Sequence, residues 1–334
     1  MSTYIGSVSR HLTFGSPYIK KFGSTIAKLL ISASLLGYFL FRVDLHAAVN
    51  VISNSDPAKL LAAIALLCGS FVLGGIRWRC VLFSLGHRAP AGLLIRLFWI
   101  GGLAGQVLPN PFGDAVRVSY AARHGMGVGP ALRSTFLERL VMIVTLLILV
   151  CLTAPVLRSL IGSDVQAYLS WALLGGAAAC VAGGAIFDRL VPAPMRRFRV
   201  VAQLALLSVD IQRFLASAWS IPVYALAMLA NLNLVFSAAI LGSALALPLT
   251  MTDYLAIMPV ATIAMVIPVS IGGWGLREGV LIALLGATGI PAEVALAFSL
   301  SIGLCLLAST LPAVLFLLVD RYTPNAARNA KVGG

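Results

Sequence analysis

Long hydrophobic runs separated by short polar stretches dominate the chain. A transmembrane helix needs about 17–25 mostly apolar residues. Six uninterrupted runs meet that length, at residues 26–42, 58–76, 135–156, 168–187, 218–247 and 292–319. The pattern therefore predicts an all-α polytopic membrane protein, with one transmembrane domain over residues 26–320.

Two further hydrophobic runs, at 101–117 and 267–279, are interrupted by helix-breaking residues. These residues are Pro109, Pro111, Gly113, Pro268, Gly272, Gly273 and Gly275. Proline and glycine free backbone groups that hydrocarbon cannot satisfy, so a break at membrane depth must be covered by protein or line a watery cavity. We therefore predict two re-entrant broken-helix hairpins, although two pairs of short full spans would fit the same pattern.

The order of these elements predicts an inverted repeat. Each unit, 58–156 and 218–319, contains a span, a broken hairpin and a long span. Basic loops alternate with non-basic loops if both termini are cytoplasmic, which gives the units opposite orientations. Many secondary transporters have this plan, with a site between the halves. The ends 1–25 and 321–334 are then cytoplasmic, and 188–217 is a basic amphipathic segment at the membrane interface.

Composition supports a membrane location. Of the 334 residues, 60% are hydrophobic and 10% are charged, whereas a soluble domain carries about 25% charged residues. The net charge of +13 comes from Lys and Arg between the apolar runs, which is typical of loops that face an anionic leaflet. We expect a multi-pass protein of the cell membrane, specifically of a bacterial inner membrane, and no nucleic-acid partner.

Signatures of catalysis or metal binding are missing from the sequence. The five cysteines and four histidines lack metal-ligand spacing, and neither a Walker motif nor a GxSxG motif is present. We therefore expect no metal, no cofactor and no enzymatic activity. Single acidic residues leave a membrane-embedded transferase with a lipid-phosphate donor open as an alternative.

Charged residues within or beside apolar segments are candidates for a site, because a charge at membrane depth costs about 3 kcal/mol or more. The candidates are Asp114, Arg117, Glu138, Arg139, Arg277 and Glu278. Asp114 and Arg117 are three residues apart, so they would be neighbours on a helix. One interpretation is that these groups form internal salt bridges that hold the broken segments together.

A second interpretation is that the three arginines bind an anionic lipid headgroup. A guanidinium suits a phosphate because it donates two parallel hydrogen bonds and stays protonated. Backbone amides freed at the breaks would add further donors. Asn110 and Trp274 are further candidates for this site, with a turn residue and a packing aromatic as their alternative roles. Both interpretations can hold at once.

Three stretches, LPNPFGDAVR, FLERL and IGGWGLREG, resemble the flippase-like family, which is the transmembrane region of lysylphosphatidylglycerol synthases and their stand-alone relatives. The family pattern maps onto Gly113, Asp114, Arg117, Glu138, Arg139, Gly272, Gly273, Gly275, Arg277 and Glu278. The pair Pro111-Phe112 departs from it, since many relatives have Gly-Gly or Val-Gly there. About fifteen residues follow the last predicted span, so no fused aminoacyl-transferase domain is expected.

The resemblance implies that the protein moves a lipid between leaflets. The lipid would be a phospholipid, an aminoacyl-phospholipid, a hopanoid or a polyprenyl-phosphate lipid, and a lipid-synthesis enzyme would be a possible partner. The expected function is therefore a lipid translocase with its headgroup site at the two helix breaks. The alternatives are the transferase named above and a non-transporting partner of a lipid-synthesis enzyme.

Overall fold

Every regular element in the described part of the chain is helical. The computed structural model describes residues 50, 53–108, 110–162, 165–266 and 274–322. Its α-helices are α1 (Pro57–Ser84), α2 (Ala91–Val107), α3 (Asn110–Ala121), α4 (Val128–Leu152), α5 (Ala154–Ile161), α6 (Val165–Leu190), α7 (Arg199–Ala216), α8 (Ser220–Ala244), α9 (Met251–Val266), α10 (Leu276–Gly286), α11 (Ala292–Thr310) and α12 (Pro312–Tyr322). The predicted all-α polytopic fold is confirmed.

Five segments of the described chain are helical, long and apolar enough to cross a bilayer. They are Pro57–Ser84, Val128–Leu152, Trp171–Leu190, Ser220–Ala244 and Ala292–Leu318. Each overlaps one of the predicted spans. The remaining predicted span, 26–42, lies outside the described residues, as do the segment 1–25 and nearly all of the predicted tail.

The observed helices differ from the predicted spans mainly at their ends. The run predicted to stop at residue 76 continues to Ser84, because Arg77 is buried inside the bundle and does not end the helix. The span predicted to start at residue 135 begins at Val128. Glu138 and Arg139 consequently lie near the middle of α4, whereas the sequence placed them at its start.

Helices α1 and α8 pack along each other in antiparallel directions. At one end, Lys59 Nζ donates to the backbone oxygen of Ser243, with 3.1 Å between the two atoms. At the other end, the rings of Phe83 and Trp219 meet with their centroids 5.1 Å apart. The first spans of the two predicted repeat units are therefore adjacent and run in opposite directions.

The two units also share backbone detail where these spans end. Leu85 closes α1 with φ −93° and ψ 3°, and Leu245 closes α8 with φ −95° and ψ 8°. A positive φ follows in both units, 80° at Gly86 and 54° at Ala246. Helices α2 and α9 then begin at the same distance from these caps. These matches support the predicted repeat.

Two short helices pack closely at the first break. A Cβ atom added at Gly113 on α3 would lie 2.6 Å from the backbone oxygen of Gly101 and 3.0 Å from the Cα atom of Gly105, both on α2. Only glycine permits such a close approach of two backbones. Helices α9 and α10 lie on either side of the second break. Whether either pair is a re-entrant hairpin stays a prediction.

The predicted basic segment 188–217 folds back along α6. A 3₁₀ turn, Ala193–Arg197, leads into α7. Gln212 on α7 donates to Asp188 Oδ1 on α6 across 2.7 Å, and Ser208 donates to the same oxygen across 2.9 Å. The second half of α7 thus packs on α6, which leaves its first half available for the predicted interfacial position.

Candidate functional site

Glu138 connects two arginines in the interior of the bundle. Its Oε1 accepts hydrogen bonds from Nε and Nη2 of Arg77, and the Nε–Oε1 distance is 3.0 Å. Its Oε2 accepts from Arg117 Nη2 across 3.0 Å. All three side chains are at most 3% exposed. Because these residues come from α4, α1 and α3, one carboxylate joins three helices.

Asp114 and Arg139 form a second, more accessible pair. Arg139 donates from Nε to Oδ2 of Asp114 across 2.8 Å and from Nη2 to Oδ1 across 3.0 Å. Arg117 Nη2 also lies 3.2 Å from Asp114 Oδ1, as expected from their helical spacing. We call Arg77, Asp114, Arg117, Glu138 and Arg139 the arginine cluster. Three guanidinium groups face two carboxylates, so the cluster carries one net positive charge.

Two aromatic rings also contact the guanidinium group of Arg117, in addition to its ionic partners. Its central carbon lies 4.7 Å from the ring centroid of Trp78 and 4.7 Å from that of Phe98. Cation–π contacts of this kind are worth about 2 kcal/mol when they are desolvated. They orient the group without using its N–H donors.

Some donors of the arginine cluster have no acceptor within the described residues. Arg77 Nη1 and Arg117 Nε are buried and make no hydrogen bond there. A cavity of about 280 Å³, which we call the first cavity, is lined by the whole cluster. Glycines at 101, 102, 105 and 113 form part of its wall, and Leu67 and Phe71 form an apolar part. The first cavity is therefore lined by arginines that each have an unpaired donor and, elsewhere, by an apolar surface.

A second group of polar residues surrounds the start of α10. Arg277 donates from Nη2 to Glu278 Oε1 across 2.6 Å and from Nε to Ser299 Oγ across 3.2 Å. Its guanidinium carbon lies 4.6 Å from the ring centroid of Trp274. Glu278 Oε2 accepts the backbone N–H of Gly275 across 2.5 Å, so this carboxylate also caps α10. Both charged side chains are at most 1% exposed.

A second cavity, of about 200 Å³, borders Arg277. Arg277 Nη1 is buried and has no hydrogen-bond partner within the described part of the chain. Gln106, Leu234 and Leu306 line both cavities. The two arginine sites therefore face neighbouring spaces with a common wall.

The structure brings together most of the charged candidates and adds further residues to the site. Arg117 and Arg139 share the arginine cluster, whereas Arg277 belongs to the second cavity. Pro109, Pro268, Gly272 and Gly273 lie outside the described residues, and the side chains of Asn110 and Pro111 are not described. The ring of Trp274 packs against the guanidinium group of Arg277, and its role in headgroup binding stays a prediction.

The sequence interpretation missed Arg77, because the predicted span ended one residue before it, at residue 76. The signal was present, because the apolar residues continue past it through WRCVLFSL. Gln106 and Ser299 were also missed, and no charge in the sequence points to either of them. Among the described residues, no group of His, Cys, Asp and Glu could hold a metal ion.

A family comparison identifies the class of protein. The model of the lysylphosphatidylglycerol synthase TM region matches residues 25–313. The chain belongs to this family. The resemblance drawn from the three motifs is thereby confirmed, and the protein is a multi-pass membrane protein of a family that relates to membrane lipids.

A second comparison corrects the expectation that the protein is not an enzyme. Glycosyltransferase AglD of Haloferax volcanii is 34% identical to this chain over 101 residues, which are 30% of this chain and 16% of that protein. The alignment thus spans a small part of that relative. A glycosyltransferase is an enzyme, so the expectation was wrong: a lack of familiar catalytic motifs was an insufficient reason to exclude catalysis.

Proposed function

We propose that the chain binds the phosphate of a membrane lipid in the first cavity and moves this lipid between leaflets. The observation that carries the proposal is the pair of buried guanidinium groups of Arg77 and Arg117. Each has one donor without an acceptor among the described residues, and both residues line a cavity of about 280 Å³ among spanning helices. Membership of a lipid-related family supports a lipid as the ligand.

The chemistry of the first cavity fits a phosphodiester. A buried donor without an acceptor costs about 1–3 kcal/mol, and phosphate oxygens would satisfy the free N–H groups of Arg77 and Arg117. A guanidinium remains charged even when buried. Since the arginine cluster has one net positive charge, a phosphodiester with one negative charge would neutralise it.

The ion pairs also hold the helices together, as the other interpretation of the sequence expected. Removing one partner of a buried pair costs about 3–5 kcal/mol, so Glu138 is expected to contribute to folding. This role leaves the free donors and the adjoining cavity unexplained. The carboxylates therefore position the arginines, and the ligand completes their hydrogen bonding.

A transferase that uses a lipid-phosphate donor is the second candidate function, favoured by the glycosyltransferase relative. In this case the first cavity would hold the phosphate of a sugar-bearing lipid, and the sugar would pass to an acceptor. Lipid binding by the arginine cluster is common to both candidates. They differ in whether a new glycoside forms.

Transbilayer movement of fluorescent phosphatidylglycerol in reconstituted vesicles tests the proposal. Arg117→Lys keeps the charge but loses the planar fork, and should lower the rate per folded molecule by about tenfold, which corresponds to about 1.4 kcal/mol. Arg133→Lys is the matched control, because Arg133 pairs with Asp210 across 2.5 Å and lines neither cavity.

Equal rates for Arg117→Lys, the control and the parent protein would contradict the headgroup site.

The same vesicles, supplied with a lipid-phosphate-linked sugar and an acceptor, are then analysed by mass spectrometry. A new glycoside that is lost in Arg117→Lys would favour the transferase. Movement of phosphatidylglycerol without a product would favour the translocase.

A further inference from the structure

Arg139 has an unusual position for a charged residue. It lies eleven residues after Val128, the first residue of α4, which is about 17 Å along the helix axis at 1.5 Å per residue. This is close to the middle of a membrane-spanning helix. The side chain is nevertheless 55% exposed and lines the first cavity. A charge at this depth cannot face hydrocarbon without a large cost, so we expect the first cavity to open to the bilayer beside Arg139.

An apolar surface leads away from this opening along α4. Val128, Leu132 and Phe136 are 63%, 55% and 52% exposed. They precede Arg139 at intervals of four, four and three residues, which places all four side chains on one face of the helix. We call Val128, Leu132 and Phe136 the α4 stripe. The stripe thus begins about one helical turn from Arg139 and runs to the start of the helix.

We propose that the acyl chains of the bound lipid lie against the α4 stripe while its headgroup occupies the first cavity. The inference rests on the proposed function. It adds where the acyl chains of the lipid lie and how the lipid enters the site. The ligand is a lipid that enters sideways from the bilayer, with its chains still among other lipids. Because the stripe covers the half of α4 that follows the basic turn around Arg123, these chains belong to the leaflet on that side.

The Asp114–Arg139 pair sits where headgroup and chains meet. It is the accessible part of the arginine cluster, since Asp114 is 26% exposed while Arg117 and Glu138 are nearly inaccessible. An arriving phosphate can accept the hydrogen bonds that Arg139 donates to Asp114, and so reach Arg117 behind it. The occupant has an anionic head next to an apolar tail, which matches the order of Arg139 and the α4 stripe.

The transfer assay with phosphatidylglycerol vesicles tests this inference. Phe136→Gln places an amide on the stripe and should reduce transfer at least fivefold per folded molecule. Phe236→Gln is the matched control, because Phe236 is 47% exposed on α8 and lines neither cavity. Leu132→Gln provides a second stripe variant if Phe136→Gln folds poorly. The control and both stripe variants are compared at equal folded fractions.

The outcomes separate this inference from the proposed function. If Arg117→Lys blocks transfer while both stripe variants behave like Phe236→Gln, the acyl-chain position is wrong and the headgroup site stands. If Arg117→Lys has no effect, the proposed function fails first. A cross-linking test uses Phe136→Cys and a cysteine introduced within residues 26–42, in a chain otherwise free of cysteine. A disulfide between the two would show that the chain itself covers the stripe, and would overturn the inference.

Discussion

At the scale of single residues, Arg117 and Arg277 are counterparts in the two units. Their offset along the chain equals that of Leu85 from Leu245, the residues that close α1 and α8. Each guanidinium stacks on a tryptophan, at 4.7 and 4.6 Å, and each binds a glutamate. Each also retains one buried donor without a partner among the described residues. We therefore expect both arginines to bind the same ligand.

Arg277→Lys tests this equivalence. A lysine keeps the charge beside Glu278 but loses the planar fork with which the guanidinium contacts Glu278, Ser299 and the face of Trp274 together. We expect the transfer rate of phosphatidylglycerol per folded molecule to fall about tenfold, the same loss as for Arg117→Lys. Ser299→Ala, which removes one hydrogen bond and keeps the arginine, should lose much less. A parental rate in Arg277→Lys would remove Arg277 from the binding path.

At the scale of helices, glycines allow the two helices at the first break to pack closely. Gly113 contacts the backbone of α2 at Gly101 and Gly105, which brings α3 against α2 directly after the interruption. This contact carries Asp114 and Arg117 to the wall of the first cavity. The proline and glycine pattern predicts the break, but the closeness of the two helices follows from small residues on both sides of it.

Gly113→Ala should disturb this contact. The new methyl group would meet the Gly101 oxygen at 2.6 Å, and overpacking of this kind costs about 1–3 kcal/mol. Gly92→Ala is the control on α2, because a Cβ there meets nothing within 4 Å, and alanine is favoured over glycine in a helix by about 1 kcal/mol. Thermal unfolding in one detergent should show a lower midpoint only for Gly113→Ala. Equal midpoints would contradict the close packing.

At the scale of the whole molecule, the antiparallel packing of α1 and α8 supports an inverted repeat. If the two units are equivalent, their first spans must cross the membrane in opposite directions, as the basic loops also predict. The two cavities then belong to opposite halves of one path, and they share the wall formed by Gln106, Leu234 and Leu306.

Cysteine labelling tests the predicted orientation. In a chain without its own five cysteines, Ser159→Cys and Val200→Cys occupy exposed positions before and after the span in α6, respectively. The basic segment that contains Val200 should be cytoplasmic, and the segment that contains Ser159 should be on the other side. A membrane-impermeant maleimide added to intact cells should label Ser159→Cys alone. Labelling of Val200→Cys would reject the predicted topology.

The sequence by itself determined what depends on local chemistry. Apolar runs predicted the spans because each spanning helix satisfies its own backbone, whatever its neighbours are. Prolines and glycines predicted the breaks for the same local reason. The spacing of Asp114 and Arg117 predicted their contact, and the three charged motifs led to the family.

Only the tertiary structure decided which charges meet. Glu138 and Arg139 are adjacent in the sequence but point to different partners, since neighbouring helical residues lie about 100° apart around the axis. Glu138 binds Arg77, and Arg139 binds Asp114. Arg77 became part of the site because α1 packs beside α4, a long-range contact that no local pattern encodes. The cavities likewise exist only between packed helices, so no local sequence pattern predicts them.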